Sequence, residues 1–168
     1  EEHSMKKVLI VEDEILARLG LRQLVDWKKL DLELLPDATD GEEALEMIRN
    51  SRPDIILLDL NIPRVSGLEI LEFLKKEEMQ TRVIVVSCQE EFDVVKKAMK
   101  LGAYDYLRKL NLSSDELESI LEKCLGETEE RNKVHMQGIR EIRYEEIMRD
   151  RRDIFAGTCN YQTLICIL

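Results

Sequence analysis

Five short apolar runs recur along this chain: KVLIV (7–11), LELL (32–35), DIILL (54–58), RVIVV (82–86) and YDYLR (104–108). Each has the length of a buried strand, and the stretches between them repeat apolar residues at helical spacing. Strand and helix therefore alternate, which predicts an α/β fold: a doubly wound, five-stranded parallel sheet with helices on both faces. The run DIILL carries no polar alternation, as expected of a central strand covered on both sides.

Punctuation between the runs sets the helices. Asp13 is placed to cap a first helix over about 14–26, with Ile15, Leu16, Leu19 and Leu24 as its apolar stripe. Pro36 ends the second strand. A second helix opens at Gly41 and closes at the Asn50 to Pro53 breaker. NIPRVSG is a loop punctuated by Pro63 and Gly67. LEILEFLKKEE is the third helix, and EEFDVVKKAMKLG the fourth, stopped at Gly102. Ser113, with Glu116 three residues on, reads as a capping box for a fifth helix through about Leu125.

The organisation changes after Leu125. Residues 126–157 are highly charged with a broken apolar seam through Val134, Ile139, Ile142 and Ile147, which reads as a linker helix, either a solvated connector or a short dimer arm. Residues 158–168, with NYQTLICIL, read as the first strand of a following domain, because a lone apolar strand would leave sticky edges. Glu1 to Ser4, ahead of Met5, read as an expression remnant.

Composition narrows the function classes. The formal net charge is -10 and the pI about 4.9, which argues against this segment itself holding nucleic acid or an anionic membrane. No apolar run approaches the length of a membrane span, and the start lacks a secretion-signal layout, so a cytoplasmic location is expected. Cys88, Cys124, Cys159 and Cys166 are scattered without a CxxC pair, which fits reduced thiols.

Candidate chemistry lies where the runs end. In a parallel sheet of this kind the ligand site lies beyond the carboxyl ends of the strands. Glu12 and Asp13 follow the first run, Asp59 the third, Ser87 the fourth and Lys109 the fifth. Three acids, one hydroxyl and one ammonium in one pocket suit a divalent cation and a phosphoryl group. A hard cation such as Mg2+ takes oxygen ligands in octahedral geometry and keeps some waters. Asp13 and Asp59 are the natural ligands, with Glu12 through water and the backbone carbonyl of Asn61 as further candidates. A cation would keep Asp59 ionised, and its carboxylate would then attack phosphorus to give an acyl phosphate. Lys109 would neutralise the incoming oxygens and Ser87 offer them a hydroxyl.

Each residue alone has a plainer reading: Asp13 a helix cap, Asp59 a polar strand end, Lys109 a surface charge. Jointly they are harder to dismiss, because separate strands deliver complementary groups to one end. Lone His3 and His135 carry no such pattern, and Cys88 reads as a small packing residue.

From Lys6 to about Leu125, through VLIVEDE, DIILLDLNIPRVSGLEIL, VIVVS and GAYDYLRK, the chain resembles the receiver domain of two-component response regulators. The resemblance implies the flavodoxin-like fold with strand order 2-1-3-4-5. It makes Asp59 the phosphoacceptor, Glu12 and Asp13 the acidic pair holding Mg2+, and Lys109 the phosphate-contacting lysine. Ser87 and Tyr106 become the switch pair, and Asn61 and Gln89 match positions that tune acyl-phosphate lifetime. A sensor histidine kinase is the implied phosphodonor and a homodimer the implied assembly. ARLGLRQLVDW and SCQEEFDVVKKAMKLGAYDYL resemble receivers that precede an AraC-type DNA-binding output, so DNA would be reached only through such a region. The resemblance implies no enzyme beyond self-phosphorylation and slow self-dephosphorylation.

One residue departs from the family pattern: Leu110 stands where proline usually follows the lysine in a cis bond. A cis bond before leucine costs about 3 kcal/mol, so the loop either bears strain or takes another path. Two rival readings of the sequence remain. One is a receiver-like interaction module that takes no phosphate, for which Leu110 is the hint. The other is an aspartyl-nucleophile phosphohydrolase, weakened because Asn61 stands where the second aspartate is expected.

Overall fold

The computed structural model describes residues 5–88 and 91–126. The chain divides into two units, 1–127 and 128–168, and the described residues fall in the first. The expectations for residues 1–4, for Gln89, for a helix beyond residue 126 and for a strand from 158 lie outside the described residues.

Strands and helices alternate as β1 (Lys6–Val11), α1 (Ile15–Leu24), β2 (Leu32–Leu34), α2 (Gly41–Ser51), β3 (Ile55–Leu58), α3 (Gly67–Lys76), β4 (Arg82–Ser87), α4 (Phe92–Leu101), β5 (Asp105–Arg108) and α5 (Ser114–Gly126). A short 3-10 turn, Lys109–Asn111, joins β5 to α5. The sheet is parallel throughout, in the order β2-β1-β3-β4-β5, which is the expected 2-1-3-4-5.

Alternation along each strand splits the core into two layers. Leu9 and Val11 of β1, Ile56 and Leu58 of β3, and Val83 and Val85 of β4 face α2, α3 and α4, meeting Ala44, Ile48, Ile70, Leu71, Val95 and Ala98. Val8, Ile10, Ile55, Leu57, Ile84 and Val86 face α1 and α5, meeting Leu21, Val25, Leu117, Ile120 and Cys124. All four residues of β3 are buried, in keeping with its unbroken apolar run at the centre of the sheet.

The helix ends are fixed chemically. Asp40 caps α2 by accepting from the N–H groups of Glu42 and Glu43, both at 2.9 Å, a contact worth about 1 kcal/mol. Ser66 and Glu69 form a capping box at the start of α3. Gly102, with φ 107°, ends α4 as expected, its N–H donating to the carbonyls of Ala98 and Met99. Ser113 Oγ accepts from Glu116 N–H at 3.2 Å at the start of α5.

Two expectations for α1 are corrected. The cap position is Glu14 rather than Asp13, and it makes no side-chain capping bond. The helix seats on the sheet through Leu21, with Leu24 of the expected stripe partly buried against the same core and Val25 buried just past the helix end, while Ile15, Leu16 and Leu19 are 63, 77 and 49% exposed. The buried face at Leu21 leads on to Val25 and Trp27, and Trp27 is buried and donates Nε1–H to the Arg22 carbonyl at 2.9 Å.

Candidate functional site

The carboxyl ends of the central strands lie side by side, so the loops that follow them share one rim. Asp59 sits just past β3, and its N–H donates to the Val11 carbonyl at 3.0 Å, which registers it beside the end of β1. Glu12 follows Val11, and its N–H donates to the Ala38 carbonyl at 3.0 Å. Ser87 ends β4, and Lys109 opens the turn after β5.

The groups meet around Asp59, which is 5% exposed. Its Oδ1 accepts from the Ser87 hydroxyl at 2.8 Å and from the Asn61 N–H at 3.1 Å. Its Oδ2 accepts from the Lys109 ammonium at 2.5 Å. The same ammonium lies 2.6 Å from Glu12 Oε2 as an ion pair. That contact lacks the angles of a directed hydrogen bond, so Oε2 is, among the described residues, the buried side-chain oxygen without a donor. Glu12 Oε1 accepts from the Glu14 N–H at 3.2 Å.

Carboxylate oxygens of Glu12, Asp13 and Asp59 lie within 4.8 Å of one another. Glu12 and Asp59 are buried while Asp13 is exposed, so the cluster has one open side. Three carboxylate oxygens at that spacing are what a hard divalent cation takes as ligands.

Burial sets the electrostatics. Desolvation pushes the Glu12 carboxyl above its ordinary value and the nearby Asp59 charge adds to this, against the lowering pull of Lys109. For Lys109 burial works toward a lower value, but its hydrogen bond to Asp59 and the attraction of the Asp59 and Glu12 carboxylates together prevail, and its pKa is raised. The lysine stays an ammonium, positioned where a cation balances two buried acids.

The departure at Leu110 is resolved by the path of the chain. Every peptide bond of the described residues is trans, and the 3-10 turn Lys109–Asn111 aims the lysine inward while Leu110 is 72% exposed. Tyr106 is buried at 6% exposure and packs in the same apolar layer as Val95, Ala98 and Met99 of α4. Among the described candidates, Glu12, Asp13, Asp59, Ser87 and Lys109 come together, and Asn61 joins them through its N–H. Gln89 lies outside the described residues.

Sequence reasoning missed the fastening of the rim. The Arg18 guanidinium donates to the carbonyls of Glu12 (2.8 Å) and Asp13 (3.1 Å). The Gly41 N–H donates to the Pro63 carbonyl at 3.1 Å, and Arg64 pairs with Asp40 and Glu42 at 3.3 and 3.2 Å, tying the loop after Asp59 to the start of α2. A lone arginine on a helix and a glycine after aspartate carry no periodic signal that would have found either.

The family profile of the response regulator receiver domain matches residues 8–122. The chain belongs to this family. The nitrate/nitrite response regulator NarL of Escherichia coli K12 is 33% identical over 120 residues, covering 71% of this chain and 55% of NarL. The uncharacterized transcriptional regulatory protein YesN of Bacillus subtilis is 30% identical over 141 residues, covering 84% of this chain and 38% of YesN. Among solved structures, the receiver domain of AraT, a response regulator from Geobacillus stearothermophilus, superimposes with a TM-score of 0.66 at 32% identity, covering 71% of this chain and 92% of that one. The chain spans about half the length of the first curated relatives it matches. Receiver domains bind Mg2+ at an acidic pocket and interact with histidine kinases, and this chain has the acidic cluster Glu12, Asp13 and Asp59. Among the described residues no helix is long and apolar enough to cross a membrane.

Proposed function

We propose that this receiver accepts a phosphoryl group on Asp59 from a sensor histidine kinase and uses it as a switch. The observation that carries the reading is the convergence on one buried carboxylate of a hydroxyl, an ammonium and two neighbouring acids.

Asp13, Asp59, the Asn61 carbonyl and, through water, Glu12 would hold Mg2+. When bound, that ion neutralises charge on the phosphoryl oxygens. The residues do the rest. An oxygen of Asp59 forms the new bond to phosphorus as the bond from phosphorus to the donor imidazole breaks, and the imidazole leaves with the electron pair. Lys109 pairs with a phosphoryl oxygen, and the Ser87 hydroxyl turns its hydrogen bond from Asp59 Oδ1 to another. Exposed Ile15, Leu16 and Leu19 follow the acidic pair, and exposed Leu110 follows Lys109, so apolar surface flanks the pocket where a donor protein would seat.

Ser87 and Tyr106 are read as the switch pair. Ser87 already reaches Asp59, and Tyr106 is already buried against the α4 layer. This is the arrangement that phosphorylation would favour, with an opposing state in which the ring turns outward. The switch would reshape the α4-β5-α5 face, which would form a homodimer or release an output region in the cytoplasm. Transcriptional output is supported by the name of the YesN relative, and a DNA-binding output of AraC type by the sequence resemblance alone. The rival reading of an unphosphorylated module loses its hint, because Lys109 reaches Asp59 without the usual proline.

The test is covalent labelling. Acetyl phosphate with Mg2+ should add one phosphoryl mass to the chain, and Asp59→Asn should abolish it. Labelling that persists in the variant would refute the assignment, and steady turnover of a phosphate ester would favour the phosphohydrolase.

A further inference from the structure

We propose that Arg18 is a positioning residue for the cation site, holding the acidic pair in its ligating orientation while Asp37 offsets its charge. This rests on the reading of Glu12, Asp13 and Asp59 as a cation site.

Arg18 is out of place by the rules of its own helix. It lies at the end of the first turn of α1, near the helix terminus where a cation opposes the helix dipole. Its guanidinium instead reaches back past the helix start. One nitrogen, Nη1, donates to two consecutive carbonyls, those of Glu12 at 2.8 Å and Asp13 at 3.1 Å. Both carbonyls precede the helix, whose bonding Arg18 enters through its own N–H to Glu14 at 3.0 Å. With the Glu12 N–H already on Ala38, both backbone polar groups of Glu12 are tied. Fixing the two peptide planes fixes the directions in which the Glu12 and Asp13 side chains leave the backbone. The carboxylates are thereby set before any ion arrives.

A bare guanidinium next to a cation site would repel the ion it is meant to assist. Asp37, from the segment between β2 and α2, answers that objection. Its Oδ2 lies 3.8 Å from Arg18 Nε and its Oδ1 2.5 Å from Arg22 Nη1. Arg18 and Asp37 side chains are each only 16% exposed, so solvent screens the pair weakly. The arrangement gives a directed grip on the backbone with a reduced local charge, in the manner of outer partners that orient metal ligands.

The test is magnesium titration of the 168-residue chain by calorimetry, without phosphodonor. Arg18→Leu should raise the dissociation constant for Mg2+ roughly tenfold, and Arg18→Lys, which keeps a donor but loses the fork, by less. Asp37→Ala should also weaken binding, and combining it with Arg18→Leu should add little. In acetyl phosphate labelling, Arg18→Leu should shift the half-saturating Mg2+ concentration while the rate at saturating Mg2+ returns to that of the parent chain. Should Arg18→Leu not fold, Arg18→Lys carries the comparison. Parent-like Mg2+ affinity in the Arg18 variants would overturn the inference and leave the cation site standing. A labelling rate that excess Mg2+ does not restore would reduce Arg18 to a packing role and overturn it too. A parent chain that binds no Mg2+ would overturn the cation site itself, and this inference with it.

Discussion

Gly41→Ala is the sharpest probe of how the loop after Asp59 is held. Gly41 is the first residue of α2, and its φ lies outside the left-handed region, so alanine meets no backbone strain there. Its cost is steric. A Cβ at this position would stand 1.9 Å from the Val65 carbonyl oxygen and 2.6 Å from the Val65 carbonyl carbon. These are backbone atoms, so no rotamer change relieves them, and the loop must retreat by more than about 1 Å to reach ordinary contact. Retreat would break the Gly41 N–H to Pro63 bond and strain the Arg64 pairs with Asp40 and Glu42. Overpacking of this kind costs about 1–3 kcal/mol, against about 1 kcal/mol gained from the better helix propensity of alanine. The expected net loss is up to about 2 kcal/mol, a fall of up to several degrees in melting temperature for a domain of this size. Gly20→Ala is the matched control, because its Cβ would meet nothing within 4 Å in the interior of α1, so it should stabilise by up to about 1 kcal/mol. Urea unfolding of the parent chain and both variants reads the difference. A Gly41→Ala chain as stable as the Gly20→Ala chain would refute the claim that α2 clamps this loop.

Lys109→Ala should destabilise the metal-free chain by about 3 kcal/mol in urea unfolding, because Glu12 and Asp59 lose the charge that balances them in a buried setting. Added Mg2+ should recover more stability in this variant than in the parent chain, and equal recovery would argue that the two cations do not share the site. Mg2+ affinity should fall as pH is lowered, and the fall should begin above pH 4.5. The Glu12 pKa is raised from that value, so a proton competes with the ion at a higher pH than an ordinary glutamate would allow. The same shift favours the metal-free fold with Glu12 protonated, a contribution present below 4.5 and lost as pH rises through the raised value. Glu12→Gln should flatten the pH dependence of Mg2+ binding in calorimetry.

The fold was largely legible because its strands are central and parallel. Runs such as DIILL and RVIVV are apolar on both faces, and helices with one buried stripe separate them. The rim of the sheet was legible for the same reason, since strand ends fix where Glu12, Asp59, Ser87 and Lys109 emerge. What could not be read were contacts between loops. Exposed Ile15, Leu16 and Leu19 look as apolar as buried Leu21 and Val25, and spacing alone does not decide between them. Asp13 and Asp40 are both plausible caps, yet Asp40 caps α2 while Asp13 joins the acidic cluster. The grip of Arg18 on two carbonyls and the nesting of Gly41 on Val65 depend on tertiary approach, which sequence spacing does not encode.

The burial of Tyr106 among Val95, Ala98 and Met99 has a mechanical consequence. A phenol ring leaving that layer would open a hole the width of an aromatic side chain, which the surroundings fill or suffer. Intermediate ring positions would neither plug the hole nor reach water, so they are poorly supported. In the proposed switch the residue would act as a latch with two seats, and the fourth helix would settle differently around each of them.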